Sequence, residues 1–214
     1  MIVSHEHRFI FLKSRKTAGT SVEIALSRAC GPDDVITPIS PADEPVRAAY
    51  GGRGPQNFDA PPLPRRAWNH MPASMVRQLV GRAVWRDYLT FSIERNPWDA
   101  LVSLYHWRTR EGEELSFEDF VWSDTVENYA TRQSRAYRID GELAVDEVCR
   151  YDTLDHDLGR IWRRLELPGV LELPHAKSQT RPHRQPYSAY YDDASRDRVA
   201  EVFAPTIEAF GFEF

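Results

Sequence analysis

Residues 9–21 read Phe9-Ile10-Phe11-Leu12-Lys13-Ser14-Arg15-Lys16-Thr17-Ala18-Gly19-Thr20-Ser21. An apolar strand enters a short polar turn that carries one glycine, and Val22-Glu23-Ile24-Ala25-Leu26 continues as a helix. A strand, turn and helix in that order aim the free N–H groups of the first helical turn at whatever lies above the turn, which suits an anion. Lys16 adds a full positive charge, and the hydroxyls of Thr17, Thr20 and Ser21 add donors. The order of residues excludes the usual nucleoside triphosphatase loop, Gly-x-x-x-x-Gly-Lys-Ser/Thr, in which the lysine follows the last glycine. Here Lys16 precedes Gly19.

A second strand and helix carry a second anion signature. Leu89-Thr90-Phe91-Ser92-Ile93 reads as a buried strand, followed by Glu94-Arg95-Asn96-Pro97-Trp98-Asp99-Ala100-Leu101-Val102-Ser103-Leu104-Tyr105. Pro97 suits the first turn of a helix, where its missing N–H costs nothing. Arg95 at the strand end and Ser103 two turns into the helix can converge on one phosphate, the guanidinium forking onto two oxygens and the hydroxyl donating to a third. A surface ion pair is the plainer reading of Arg95 alone.

Taken together, Lys-Thr-Ala-Gly-Thr-Ser and Arg-Asn-Pro-Trp-Asp-x-Leu-Val-Ser-x-Tyr resemble the two nucleotide sites of sulfotransferases that use 3′-phosphoadenosine 5′-phosphosulfate (PAPS). The resemblance implies a 5′-phosphosulfate loop made of Arg15, Lys16, Thr17, Ala18, Gly19, Thr20 and Ser21, with Lys16 near the bridging oxygen. It implies a 3′-phosphate site at Arg95 and Ser103. Val148-Cys149-Arg150-Tyr151-Asp152-x-Leu154 resembles the family's strand-to-helix segment, and Tyr151 lines the nucleotide cleft or simply packs. Leu173-Pro174-His175-Ala176-Lys177-Ser178 with Arg184, Tyr187 and Tyr190 resembles the closing loop and the approach to the final helix. Lys177, Ser178 and Arg184 close over the nucleotide or form a basic surface loop, and His175 and His183 share that loop. The likeness spans nearly the whole chain outside residues 31–66 and is nearest to bacterial relatives of carbohydrate 2-O-sulfotransferases.

The general base implied by the resemblance is His70, in Trp68-Asn69-His70-Met71-Pro72, upstream of the Arg95 motif; a histidine that only packs at a helix start is the alternative. A neutral imidazole accepts a hydroxyl proton at physiological pH. His106, three residues past Ser103, is the competitor, with packing as its ordinary role. The reaction needs a cation where charge gathers on the leaving oxygen, because such a cation stabilises the transition state more than the ground state. That role falls to Lys16, assisted by the amides from Ala18 to Ser21. No metal is required, and no His/Cys cluster stands at metal spacing. Arg132 and Gln133 resemble a position near the acceptor, and Asp99 complements the dipole of the helix it opens. Trp85, Trp98, Trp107, Trp122 and Trp162 read as core, and Trp68 stands apart beside the base.

Composition agrees. The 214 residues suffice for one α/β domain with a proper core. A net charge of −5 disfavours a broad nucleic-acid surface while allowing a local anion pocket. Only three of the 27 basic residues are lysines, an arginine bias in keeping with a GC-rich bacterial genome. Cys30 and Cys149 are too few for a disulfide framework and read as buried thiols. The N-terminal residues have no signal-peptide pattern, and no apolar run approaches the roughly 20 residues that span a bilayer. The expectation is a free-standing cytoplasmic catalytic domain with no nucleic-acid or membrane partner, its oligomeric state open.

Alternating strands and helices predict a P-loop-like, three-layer α/β fold over 1–214, with a central parallel sheet flanked by helices. Residues 31–66, rich in Pro, Gly and Asp, read as an irregular excursion, a flap over the acceptor site or a disordered loop. Helices are expected from Pro72 to Leu79 with Gly81 as the stop, from Pro97 to about Arg110, from Phe117 to Trp122 capped by Ser116, from Asp152 to Leu165, and from Asp193 to Phe210 with a bend at Pro205. Tyr137–Arg150 reads as a hairpin turning at Asp140-Gly141. The activity implied is transfer of a sulfuryl group from PAPS to an acceptor hydroxyl, on a saccharide or a small metabolite, with 3′-phosphoadenosine 5′-phosphate as product. The rivals are a P-loop kinase or nucleotide hydrolase, which needs Gly-Lys-Ser/Thr and a Mg²⁺-binding acid, and a non-catalytic nucleotide-binding module, which has no need of Lys16 or His70.

Overall fold

The computed structural model describes residues 1–61, 63–174 and 185–214. In chain order the strands are β1 (Ile2–Ser4), β2 (Phe9–Phe11), β3 (Val35–Ile36), β4 (Leu89–Glu94), β5 (Arg138–Ile139), β6 (Glu142–Leu143) and β7 (Glu147–Arg150). The helices are α1 (Gly19–Ser27), α2 (Glu44–Ala49), α3 (Ala73–Asp87), α4 (Pro97–Thr109), α5 (Phe117–Val121), α6 (Asp124–Ser134), α7 (Leu154–Arg164), α8 (Asp193–Val202) and α9 (Ala204–Phe210), with a 3-10 turn at Tyr187–Tyr190. The described residues form two compact units, 1–94 with 135–174, and 95–134 with 185–214.

The first unit is built on a five-stranded sheet in the order β3-β1-β2-β4-β7. β2, β4 and β7 run parallel, with Phe9 opposite Leu89 and Phe91 opposite Glu147. β1 is antiparallel to both β2 and β3, so the sheet is mixed and not parallel throughout as the sequence reading expects. The cause is local. Only residues 5–8 join β1 to β2, which is room for a hairpin, whereas a parallel return needs a crossover of about a dozen residues or more.

Side chains that alternate along the strands feed two cores. Ile2, Phe9, Phe11, Phe91 and Ile93 meet Val22 and Leu26 of α1 and Leu158, Ile161 and Trp162 of α7. Val3, Ile10, Leu12 and Val35 meet Ala73, Val76 and Leu79 of α3. Helices therefore pack on both faces of the sheet. Within 31–66 the chain is more regular than its composition suggests. It supplies edge strand β3 and helix α2, and Gln56 exchanges backbone bonds with Ile36 at 3.0 and 3.1 Å. Segments so short carry no readable period.

Gly81 does break α3, at φ 80° and ψ 162°, but the helix resumes beyond it. The hairpin turn is as expected: Asp140 (φ 53°) and Gly141 (φ 86°) both take the left-handed conformation of a type I′ turn. The hairpin is only β5–β6, however. Glu147–Arg150 departs to pair parallel with β4. In the second unit, Trp98, Leu101, Phe120, Val126, Tyr129, Val199 and Phe203 form one core. Helix α6 has no counterpart in the sequence reading. The expected last helix is two, broken at Phe203, because Pro205 lacks an N–H and so fits only the opening turn of α9.

Candidate active site

The loop between β2 and α1 is held open by two residues in an unusual backbone conformation. Lys16 (φ 60°) and Ala18 (φ 57°) are both left-handed without being glycine. Such residues cost of order 1–3 kcal/mol each and persist where the surroundings fix them. The fixing is visible. The Ser14 hydroxyl bonds to the Ile93 carbonyl at the end of the neighbouring strand, and lies 2.8 Å from the Thr17 hydroxyl. Thr17 is fully buried, so its hydroxyl serves the turn itself.

The first backbone bond of α1 runs from the Val22 N–H to the Ala18 carbonyl, 3.2 Å. The N–H groups of Gly19, Thr20 and Ser21 therefore belong to the uncommitted first turn, where an anion is favoured. Neither Thr20 nor Ser21 makes a side-chain hydrogen bond among the described residues. Lys16 is half-buried and Arg15 exposed at the rim of the same loop.

His70 lies in the same unit. Its Nδ1 is 3.0 Å from the Lys13 carbonyl oxygen. A carbonyl only accepts, so Nδ1 carries the proton and Nε2 carries the lone pair. Burial, then the positive charges of Lys13 and Arg15, drive the imidazole pKa down to about 3. The ring is thus neutral at physiological pH and is oriented as a proton acceptor through Nε2. Trp68 beside it is exposed, and Asn69 Oδ1 accepts from the Met1 amine at 3.4 Å.

Beneath the loop is a buried ionic cluster that sequence reasoning missed. Glu23 of α1 is fully buried and takes the Met1 amine at 2.8 Å and Lys13 Nζ at 2.9 Å, with Arg47 Nη2 at 3.7 Å. Burial alone would raise the carboxyl pKa. The Met1 amine and Lys13 outweigh it and hold the group down at about 2. The only sequence signal was one acid, Glu23, inside an otherwise apolar helical run.

In the second unit, the Asn96 side chain caps α4 by accepting from the Trp98 N–H at 3.1 Å. Asp99 does more than complement the helix dipole. Its Oδ2 accepts from both Nε (2.7 Å) and Nη2 (2.6 Å) of Arg95, fixing the guanidinium plane of a side chain only 12% exposed. Ser103 follows Asp99 by four residues on the same helical face and is half-buried. His106 Nε2 lies 2.8 Å from the Tyr190 hydroxyl, inside an aromatic cluster with Tyr105 and Phe117.

A model of the sulfotransferase family matches residues 1–213. The chain belongs to the sulfotransferase family. A protein of Archaeoglobus fulgidus, described as uncharacterized, is 34% identical over 110 residues, which cover 48% of this chain and 88% of that protein.

Of the remaining residues singled out in this sulfotransferase, Tyr151 packs against the first core together with Ala18, and its N–H bonds to the Glu94 carbonyl at 2.8 Å. His175, Lys177, Ser178, His183 and Arg184 lie outside the described residues. Gln133 is buried and Arg132 exposed in the last turn of α6. Trp98 and Trp162 are core, but Trp107 (44% exposed) and Trp122 (55%) are not. Each of those two stands near an arginine, Arg110 at 4.2 Å and Arg198 at 5.6 Å, which covers indole surface without burying it. Cys30 and Cys149 are free, buried thiols, and burial raises both pKa values, that of Cys149 to about 12. Among the described residues no group of three or more His, Cys, Asp or Glu is placed to hold a metal ion, and no helix is long and apolar enough to cross a membrane.

Proposed function

We propose that the protein moves a sulfuryl group from PAPS to an acceptor hydroxyl, on a saccharide or small metabolite, on a P-loop-like fold treated as one sulfotransferase domain. The observation that carries this reading is the pairing, within one unit, of an anion-accepting loop around Lys16 with a neutral His70 whose Nε2 holds the lone pair. The acceptor oxygen attacks sulfur as the bond from sulfur to the bridging oxygen breaks. The electrons of that bond stay on the departing 5′-phosphate, where Lys16 and the amides of Ala18 to Ser21 meet the growing charge. The hydroxyl proton passes to Nε2 of His70. Arg15 adds positive charge at the rim, and Thr17 contributes through its backbone. Arg95, steadied by Asp99, and Ser103 take the 3′-phosphate on the strength of their motif. Tyr151, Lys177, Ser178 and Arg184 are assigned to the nucleotide by the same resemblance.

A base with a pKa near 3 in the free protein is weak, and the reading accounts for this. The imidazolium is opposed first by burial and then by the charges of Lys13 and Arg15. A nucleotide anion in the loop offsets the part of the shift that comes from those charges and so moves the pKa upward. Calorimetry with 3′-phosphoadenosine 5′-phosphate, without Mg²⁺, tests the whole reading. Expected is binding by the wild type, heavy loss in Arg95→Ala, and no comparable binding of ATP. Binding that requires Mg²⁺ and prefers ATP would return the chain to the kinase class.

A further inference from the structure

We infer that Lys13 is a positioning residue that ties the phosphate loop to the proposed base. Its side chain, anchored by Glu23, is the floor on which Gly19 lies, and its carbonyl sets the His70 ring. The inference rests on the sulfotransferase reading for what the loop and His70 do, but the coupling between them is geometric.

Lys13 is 4% exposed, and its Nζ is held 2.9 Å from Glu23 Oε2. Its stem cannot swing away without abandoning that carboxylate. A Cβ built on Gly19 would stand 2.8 Å from Lys13 Cγ and 3.3 Å from Cε, inside ordinary contact distance. Gly19 is thus required for close approach and not for a left-handed backbone, which Lys16 and Ala18 adopt instead. The same residue presents its carbonyl to His70 Nδ1 at 3.0 Å. One lysine therefore sets the height of the first helical turn and the tautomer of the base. Glu23 is shared with the Met1 amine and Arg47, so the anchor remains in place when Lys13 alone is changed.

The test is a double-mutant cycle read by binding of 3′-phosphoadenosine 5′-phosphate. Gly19→Ala is expected to weaken binding about tenfold or more, because overpacking displaces the turn. In the Lys13→Ala background the added Cβ has room, and the same change should cost little. Lys13→Met loses the ion pair but keeps the bulk of the stem in the same buried site, so Gly19→Ala should remain harmful there. The backbone carbonyl that accepts from Nδ1 survives substitution of the Lys13 side chain, so nitrogen NMR at neutral pH should show His70 as the single Nδ1–H tautomer in the wild type and in both Lys13 variants. Equal loss from Gly19→Ala in the wild type and Lys13→Ala backgrounds overturns the inference while leaving the sulfotransferase reading intact, and a tautomeric mixture in the wild type would show that the Lys13 carbonyl does not set the ring. If the wild type does not bind the nucleotide, the reading fails instead. The cycle is then scored by thermal melting, where Gly19→Ala should be destabilising only when the Lys13 stem is present, and equal destabilisation in all backgrounds overturns the coupling.

Discussion

At the scale of single residues, the loop divides its work between charge and backbone. Under the proposed function Lys16 meets the charge on the leaving oxygen, so its effect belongs to the transition state. Lys16→Ala should lower the rate of nucleotide release from PAPS by about 10²–10³-fold, in line with loss of one oxyanion donor, while nucleotide affinity falls far less. A parallel loss of affinity and rate would place Lys16 in ground-state binding. Ala18 carries conformation. At φ 57° and ψ 15° it tolerates glycine easily and a β-branched residue badly. Ala18→Gly should leave the urea midpoint nearly unchanged, because relief of the left-handed backbone is offset by the greater entropy glycine loses on folding. Ala18→Val should cost about 1–3 kcal/mol.

At the scale of elements, the segment bearing His70 makes stability depend on pH. The imidazole pKa falls from 6.5 unfolded to about 3 folded, so between those values the unfolded chain binds more protons. Stability is then complete above 6.5 and is lost as pH falls toward 3. Two neighbours act in other windows. The Met1 amine, lowered from 8.0 to about 6, withdraws stability as pH falls through that interval, and Glu23, lowered from 4.5 to about 2, withdraws it only below 4.5. Between pH 6 and 4.5 the slope therefore reports His70 among these three, and His70→Gln should flatten it in urea titrations. An undiminished slope would show that the ring is not buried in its neutral form. Elements of this kind differ in how far the sequence reveals them. The Asp140-Gly141 turn, the Pro97 helix start and the Ser116 cap are legible because one or two residues impose the local conformation. β1 and β3 are too short for a period. The direction of β1 depends on the length of the link 5–8, not on any residue in the strand. The strand-to-helix frames of the two motifs, β2 to α1 and β4 to α4, were legible, but Glu23 was not. Its partners, Met1, Lys13 and Arg47, are distant in sequence and meet only in the folded unit. Trp107 and Trp122 misled for the opposite reason, since ring size alone does not determine burial.

At the scale of the whole molecule, Glu23 links β1, the end of β2, α1 and α2 through one carboxylate. Glu23→Gln leaves buried cations without their anion and should destabilise the chain by about 3–5 kcal/mol, measured by urea unfolding. Removing the exposed Arg86–Asp87 pair should leave the urea midpoint nearly unchanged. A loss from Glu23→Gln no larger than that would mean the cluster is not a keystone of the fold. The sheet order has a consequence for how the chain is made. β1 and β2 leave the ribosome together and can pair at once, but the other partner of β2 begins at Leu89, opposite Phe9. At about 5–20 residues per second, the 80-residue offset between Phe9 and Leu89 takes roughly 4–16 s to synthesise. For that time the nascent hairpin carries an open, wholly apolar edge, Phe9-Ile10-Phe11, of the kind that pairs with strangers. Recovery of native protein during translation thus depends on what shields that edge until β4 emerges.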